Sequence, residues 1–338
     1  MAKHTAAHTF ELIGVGNPIM DLLAHVDDAF LKQYVAGDKG GMVLVDDADI
    51  VTLLHRLGDR IAMMPGGSAA NTTLGATKLG LKTTFLGKIG GDITAEHYFE
   101  NFVAAGGDGS RFKRAVLPNG RCLSMVTPDG QRTMRTHLGA AMTLSPDEIT
   151  IADFKGCRHA HIEGYLLFNP ALAQKVVDTA RAAGCTISLD LASFEVVNVA
   201  RDWIFEQLRA GLDVVIGNED EAKALFRRED AYDAYARELA QFGGIAAVKM
   251  GKDGAWVAQG SELHRIFPVR VERVIDTTGA GDAWAAGFLY GYLRGKSLAL
   301  AGAIGSRMGA ETVQHLGASI PDIHWPRLRA HAEDFGKP

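Results

Sequence analysis

The acidic, hydroxyl-bearing turn Asp276-Thr277-Thr278 runs directly into Gly279-Ala280-Gly281-Asp282, and from Ala283 to Leu293 the chain becomes apolar, rich in alanine and aromatic residues. This stretch constrains the fold more than any other, because it demands a glycine-lined entrance to a greasy helix. Glycines at such an entrance let backbone N–H groups converge on one point, and the positive end of the helix macrodipole adds to them. That combination holds an anion. Asp282 then falls in the first turn of the helix. It reads either as a reacting carboxylate beside the anion or as a simple dipole partner, with the glycines only permitting close packing. Gly295 marks the helix end as a C-terminal cap.

Ahead of this stretch the chain alternates between strand and helix patterns. Buried strands are expected at Phe10–Val15, Ile19–Val26, Met42–Val45, Thr83–Ile89, Ala160–Ile162, Thr186–Asp190, Val214–Gly217, Ala246–Lys249, Ala255–Ala258 and Val271–Val274. Helices are expected at Asp28–Tyr34, Asp49–Leu57, Thr94–Ala105, Pro170–Ala183, Trp203–Ala210, Glu219–Phe226 and Ala231–Phe242, with one more running from the Gly66-Gly67 turn to Lys78. Glycine-rich turns stand at Gly37–Gly41 and Met64–Asn71. Regular alternation of this kind means α/β architecture, a mostly parallel central sheet with helices on both faces. Two alternating runs, Val116–Thr127 and Arg132–His137, flank Pro128-Asp129-Gly130. They form a hairpin that interrupts the alternation and belongs to an added sheet. No Ser/Pro-rich linker separates two halves, so any second unit is inserted.

Composition excludes several classes. A net charge of −5, with no Lys/Arg block, speaks against nucleic acid and anionic membranes as partners. Cys122, Cys157 and Cys185 lie far apart and indicate neither a disulfide framework nor a zinc site; together with the absence of a signal-peptide pattern they suggest a cytoplasmic protein. Tyr290–Ser297 is one residue short of a Walker A loop and sits at a helix end. The dinucleotide fingerprint fails after the first strand, which lacks the third glycine, and again at Gly279, where Trp284 takes that place. His159 and His161 share one face of a strand, but with no nearby third ligand they read as packing.

Three stretches, taken together, resemble the pfkB, or ribokinase-like, family of small-molecule kinases. Asp276–Asp282 is similar to its second signature. Gly66-Gly67-Ser68-Ala69-Ala70-Asn71, continuing to Gly87–Asp92, is similar to its first. Asn218-Glu219-Asp220-Glu221 is similar to its Asn-x-x-Glu motif. Order and spacing hold from about residue 10 to 325. Gly16–Asp21, Gly66–Asn71, Arg132 and the Gly164–Phe168 run look most like the adenosine kinase branch.

The resemblance implies a three-layer ribokinase-like fold with a large domain at 8–16, 48–115 and 139–330, and a small lid at 17–47 and 116–138. It implies an ATP-dependent kinase acting on the 5′-hydroxyl of a nucleoside, adenosine first, with Mg²⁺ and in some members K⁺. The alternatives are a sugar or sugar-acid kinase of the same fold and a binding protein without catalysis. Either a monomer or a homodimer is compatible. Asp282 takes the general-base role, with Gly279, Ala280 and Gly281 as the anion hole. Asn17, Asp21, Gly66, Gly67, Ser68 and Asn71 face the acceptor, Arg132 the phosphate side and Phe168 a base. Asp190, Thr278, Asn218 and Glu221 face the triphosphate, the last two also around Mg²⁺ through water. Asp276, Thr278, Gly317 and Ser319 form a monovalent-cation loop. Residue by residue, plainer readings stay open: a capping box for Asn218 and Glu221, a strand-end cap for Asp190, a helix cap for Asn71, a solvated strand residue for Asp21 and core packing for Phe168.

Overall fold

In the computed structural model, which describes residues 8–334 apart from 37, 38, 40, 60 and 130, two sheets carry the architecture. Parts of the Gly37–Gly41 turn, and Gly130 of the hairpin turn, lie outside the described residues. In chain order the strands are β1 (Phe10–Val15), β2 (Ile19–His25), β3 (Met42–Leu44), β4 (Ile61–Pro65), β5 (Thr83–Leu86), β6 (Lys88–Ile89), β7 (Lys113–Arg114), β8 (Gly120–Val126), β9 (Arg132–His137), β10 (Cys157–Glu163), β11 (Thr186–Asp190), β12 (Val214–Asn218), β13 (Ile245–Lys249), β14 (Ala255–Gln259) and β15 (Glu262–Ile266).

The central sheet runs β15-β14-β13-β12-β11-β10-β1-β5. From β5 to β13 every pairing is parallel, and β14 and β15 close the edge antiparallel. Side chains alternate between its two faces, as strand geometry requires. Val215 and Val248 enter the core under the helices Pro170–Ala182, Phe194–Arg209, Glu219–Phe226 and Tyr232–Ala240. Their neighbours Val214, Ile216 and Ala247 enter the opposite core, under the helices Ala280–Leu293 and Leu298–Thr312. Covered on both faces, this is the mostly parallel α/β architecture expected from the alternation.

The helix Ala280–Leu293 is buried from Ala283 to Gly291 because it lies between two other helices. At Gly287 a Cβ would come within 2.9 Å of Gly305 on the helix Leu298–Thr312, so its small residues allow this close approach. Gly295, at φ +72, closes the helix as a left-handed cap.

The second sheet, β3-β9-β8-β2-β4, holds the expected hairpin as its antiparallel β8–β9 pair. It packs on its own core, where Met20, Leu22, Leu123 and Met125 meet Ile50 and Leu53 of the helix Asp47–Leu57.

Several elements differ from the sequence expectation. Val271–Val274 is irregular, and the edge strand is Glu262–Ile266 instead, whose charged alternation reads as loop. The expected strand Thr83–Ile89 breaks at Gly87, where a Cβ would meet the backbone of Gly16. Ile61–Pro65 is a strand of the small sheet, paired antiparallel to β2, although sequence reasoning groups residues 48–115 with the large domain. A five-residue strand ending in proline carries almost no periodic signal. The helix Phe194–Arg209 starts earlier than its expected Trp203, and its N-cap is Ser193.

Candidate functional site

The parallel strands end together, and their C-terminal ends carry polar groups in one row. Glu163 ends β10 in register with Asp190, which ends β11. Asn218 ends β12 in register with Lys249, which ends β13. This edge is where open α/β sheets place their ligands. Two helix N-termini face the same volume. Gly279, at φ +69, starts the helix Ala280–Leu293; a Cβ there would overlap Ala318. Gly67, at φ +96, starts the helix Ser68–Leu79, and a Cβ there would overlap the Asn17 carbonyl.

Asp282 is the meeting point. Ser68 Oγ donates to its Oδ1 at 2.8 Å and Asn71 Nδ2 to its Oδ2 at 3.0 Å. Ser68 and Asn71 are three apart on the first turn of their helix, so both reach the same carboxylate. Burial pushes the Asp282 carboxyl up to about 6; Asp190 adds to the rise, while Asn71, Ser68 and Lys249 oppose it. Thus two residues expected to touch the acceptor also hydrogen-bond the expected base. N–H groups at the entrance are divided: Ala280 N donates to Thr277 O at 3.3 Å, whereas those of Gly281 and Asp282 find no acceptor among the described residues.

Opposite stands Asp21 of β2. Its carboxyl fills the space a Cβ on Gly66 would take, which explains the glycine. Burial, then the charge of Asp282, raises its pKa to about 7, against the pull of Arg132. The two acidic groups feel each other across the site, Asp21 on the small sheet and Asp282 in the first turn of the helix Ala280–Leu293. Arg132, at the start of β9, crosses from the small sheet to the Gly-rich turn: it donates to Thr278 Oγ1 and lies 3.8 Å from Asp276.

Asp276 closes its own loop. Its Oδ1 accepts from Thr278 N (2.9 Å) and Thr278 Oγ1 (2.6 Å), and its Oδ2 from Gly317 N (2.9 Å). Burial acts to raise its pKa, yet the Thr278 and Gly317 bonds and Arg132 outweigh it and hold the carboxyl below the usual range. Ser319 of the same segment is exposed. Phe168 ends the 3-10 turn Gly164–Phe168 and is 54% exposed, so it is not the core residue that packing would demand.

Asn218 and Glu221 form a complete capping box. Asn218 Oδ1 accepts from Asp220 N and Glu221 N, both at 2.9 Å, while Asn218 N and Nδ2 each donate to Glu221 at 2.7 Å. Glu221 is nevertheless buried, and its pKa is driven up to about 7 by burial and by Asp190. Asp190 caps Ala192 N at 2.9 Å and accepts from Lys249 Nζ at 3.1 Å.

Two members of the site escape sequence reasoning. Lys249 Nζ lies against the Gly281 backbone, 3.2 Å from where a Cβ would stand, so a cation flanks the Gly279–Gly281 turn. Its signal is a lone charge ending the apolar run Ile245–Val248. Glu163 accepts from Asn17 N (2.8 Å), Asn17 Nδ2 (2.6 Å) and Ala69 N (3.0 Å), so Asn17 is held as a structural partner of Glu163. Burial raises the Glu163 pKa to about 7. A charge inside a buried strand, just before Gly164, was the clue. His159 and His161 are buried and hydrogen-bonded to Thr186 and Ser188, the packing role expected for them.

A separate cavity of about 440 Å³, lined by Ile266, Phe267, Arg265 and Arg307 among others, includes none of the Asp282 cluster. No helix among the described residues is long and apolar enough to cross a membrane.

The fold agrees with that of known proteins. The adenosine kinase of Sinorhizobium meliloti superposes with a TM-score of 0.85 at 31% identity, over 96% of this chain and 99% of that one. A probable sugar kinase from Rhizobium etli gives 0.86 at 30%, over 96% and 99%. By sequence, adenosine kinase 2 of Arabidopsis thaliana is 24% identical over 92% of this chain and 96% of that protein. An uncharacterized sugar kinase of Archaeoglobus fulgidus is 27% identical over 72% of this chain and 96% of its own length. The pfkB carbohydrate kinase profile matches residues 43–325, and the chain therefore belongs to the pfkB family, kinases that phosphorylate an alcohol group.

Proposed function

We propose that this kinase moves the γ-phosphoryl group of ATP to the 5′-hydroxyl of a nucleoside, with adenosine as the favoured acceptor. The observation that carries the reading is Asp282: a carboxylate pinned by Ser68 and Asn71 at a helix N-terminus, with its pKa raised to about 6. A base of that pKa is ionised at neutral pH and still accepts a proton from a hydroxyl as that hydroxyl attacks; such help is worth ~10²–10⁴-fold. N–H groups of Gly279, Ala280 and Gly281, with Lys249 beside Gly281, neutralise the charge on the transferring phosphoryl oxygens. Ala280 must release its Thr277 contact to contribute. Relatives whose names read adenosine kinase match nearly the whole chain and supply the acceptor.

Asp21, across from Asp282, grips vicinal hydroxyls of the sugar, with the Asn71 amide reaching a third and Gly67 allowing close backbone approach. Phe168 offers an exposed ring to the base. The small sheet acts as the lid over the acceptor, and Arg132 brings it to the phosphate side, excluding water from the transfer. Around Asp190 and Glu221 the carboxylates outnumber the Lys249 ammonium, a donor set that fits Mg²⁺ held through water by Asn218 and Glu221. When bound, Mg²⁺ supplies charge neutralisation to the triphosphate. The Asp276, Thr278, Gly317 and Ser319 loop is the place for K⁺; rates in K⁺ against tetramethylammonium salts test it.

Sugar kinases also appear among the relatives, so a sugar acceptor is the second reading. A panel of nucleosides and free sugars with ATP and Mg²⁺ separates the two. Adenosine is expected to give the highest kcat/KM, with 2′-deoxyadenosine far poorer, since a site built to bond a hydroxyl rejects its absence strongly. A free sugar or sugar acid leading the panel overturns the nucleoside reading, and no turnover with any acceptor favours a binding protein. With the right acceptor, kcat/KM falls as pH drops through about 6, where Asp282 takes up its proton.

A further inference from the structure

At the C-terminal end of the helix Leu298–Thr312, three side chains outside the proposed phosphoryl-transfer site come together. Glu311 and His315, four apart, meet His324 of the short turn Asp322–His324. Glu311 Oε1 lies 2.8 Å from His324 Nδ1 and 3.6 Å from His315 Nε2, and the three atoms all fall within 4.8 Å of one another. A tetrahedral ion with bonds of about 2.0–2.1 Å separates its ligand atoms by roughly 3.3 Å. Two of the three edges already bracket that value.

The surroundings match. Glu311 is only 4% exposed, and Arg327 Nη2 donates to its Oε2 at 2.7 Å, which leaves Oε1 turned to the histidines. A carboxylate braced on its outer oxygen is the usual support for a metal ligand. His315 Nε2 is closed off from solvent without a hydrogen-bond partner, a costly state for an imidazole nitrogen that nothing else in the cluster relieves. The histidine rings stand edge-on with centroids 4.9 Å apart. Arg327 also stands 3.5 Å from His324 Nδ1, but its side chain is more than half exposed and can swing outward.

We propose that Glu311, His315 and His324 bind one divalent transition-metal ion of the zinc class, with solvent as the fourth ligand. Two imidazoles and one carboxylate select zinc or its neighbours over Mg²⁺ or K⁺, which take oxygen ligands. The site is not a pfkB signature element, and no cysteine is involved. Its place in the fold gives it a structural reach. Between its ligands runs the segment that accepts Ile275 N on Val313 O at 2.7 Å, donates Gly317 N to Asp276 and backs Gly279 with Ala318. A bound ion fixes both ends of that segment and so stiffens the wall behind the anion hole.

The test uses the full chain, stripped with a chelator, dialysed and titrated with Co²⁺ in the absence of nucleotide. One Co²⁺ per chain, with visible bands of tetrahedral strength, displacement by Zn²⁺ and a Tm raised by a few degrees, is expected. His315→Ala and His324→Ala are each expected to weaken binding by roughly 100-fold or more while the metal-free Tm stays near wild type. Two variants are used so that one folded protein suffices. No tetrahedral bands, or bands and affinity unchanged in the folded variants, overturns the proposal; so does a weak octahedral spectrum insensitive to both substitutions, which would put the ion on the strand-end carboxylates.

Discussion

Strands β10 and β11 carry two polar clusters, one in mid-strand and one at their C-terminal ends, and the two are built on opposite rules. In mid-strand, His159 bonds Thr186 at 2.7 Å and Ser188 at 2.8 Å, and Ser188 bonds His161 at 2.8 Å. Burial presses the histidines down to about 3 and about 4, so the cluster is neutral and mostly satisfied internally. At the strand ends, Glu163 and Asp190 are joined by Glu221, Asp282 and Asp21 from neighbouring elements, with Lys249 and Arg132 as the cations. Burial pushes the carboxyls of Glu163, Glu221, Asp282 and Asp21 up, to about 6 or 7. A sheet interior tolerates polar groups that satisfy one another without charge. Unbalanced charge survives only where helix N-termini and an incoming ligand complete it. That contrast separates structure from chemistry along the same two strands.

Breaking the charged end gives the largest change in stability. Lys249→Met leaves Asp190 and Glu221 without their ammonium and is expected to cost about 3–5 kcal/mol in urea unfolding, with loss of turnover. A fully stable variant would mean that the pair is not a buried ion pair in solution. Breaking the neutral cluster costs less. Ser188→Ala takes one hydrogen-bond partner from each imidazole, leaving His159 its Thr186 bond, and should cost about 1–3 kcal/mol while kcat stays within twofold, because that cluster lies away from the proposed chemistry. A large fall in kcat at unchanged stability would erase the distinction.

The smallest effect tests the sign of the charge. The folded chain holds a proton on Asp21 more tightly than the unfolded chain does, so its carboxylate costs stability progressively as pH rises from about 4 to about 7. The histidines work the other way: kept neutral when folded, they cost stability as pH falls below 6.5. Asp21→Asn is expected to raise Tm by a few degrees at pH 8 and by less at pH 5. An equal shift at both pH values would deny the raised pKa.

Much of this was legible in advance because periodicity and glycine placement are local properties. The alternating β1–α–β pattern, the capping box of Asn218 and Glu221, the Gly295 cap and the structural reading of His159 and His161 follow from neighbours in sequence. The Gly66–Asn71 and Gly279–Asp282 motifs locate the site because each glycine answers to a specific neighbour, Asp21, Asn17, Ala318 or Lys249. What stayed hidden depends on partners far along the chain. Nothing near Lys249 announces Asp190, and nothing near Glu163 announces Asn17 and Ala69. Asn71 reads as a substrate or cap residue until the fold brings Asp282 within 3.0 Å. Edge strands such as Glu262–Ile266 escape because one side faces water and their alternation is charged.

The account stands on Asp282 as the group that takes the proton during transfer. Single-turnover transfer of labelled γ-phosphate from Mg-ATP to adenosine, measured beside calorimetric binding of both ligands, tests it on wild type and Asp282→Asn. The prediction is binding within a few-fold of wild type and transfer slowed by ~10²–10⁴. Transfer by the folded variant at more than a tenth of the wild-type rate would contradict it.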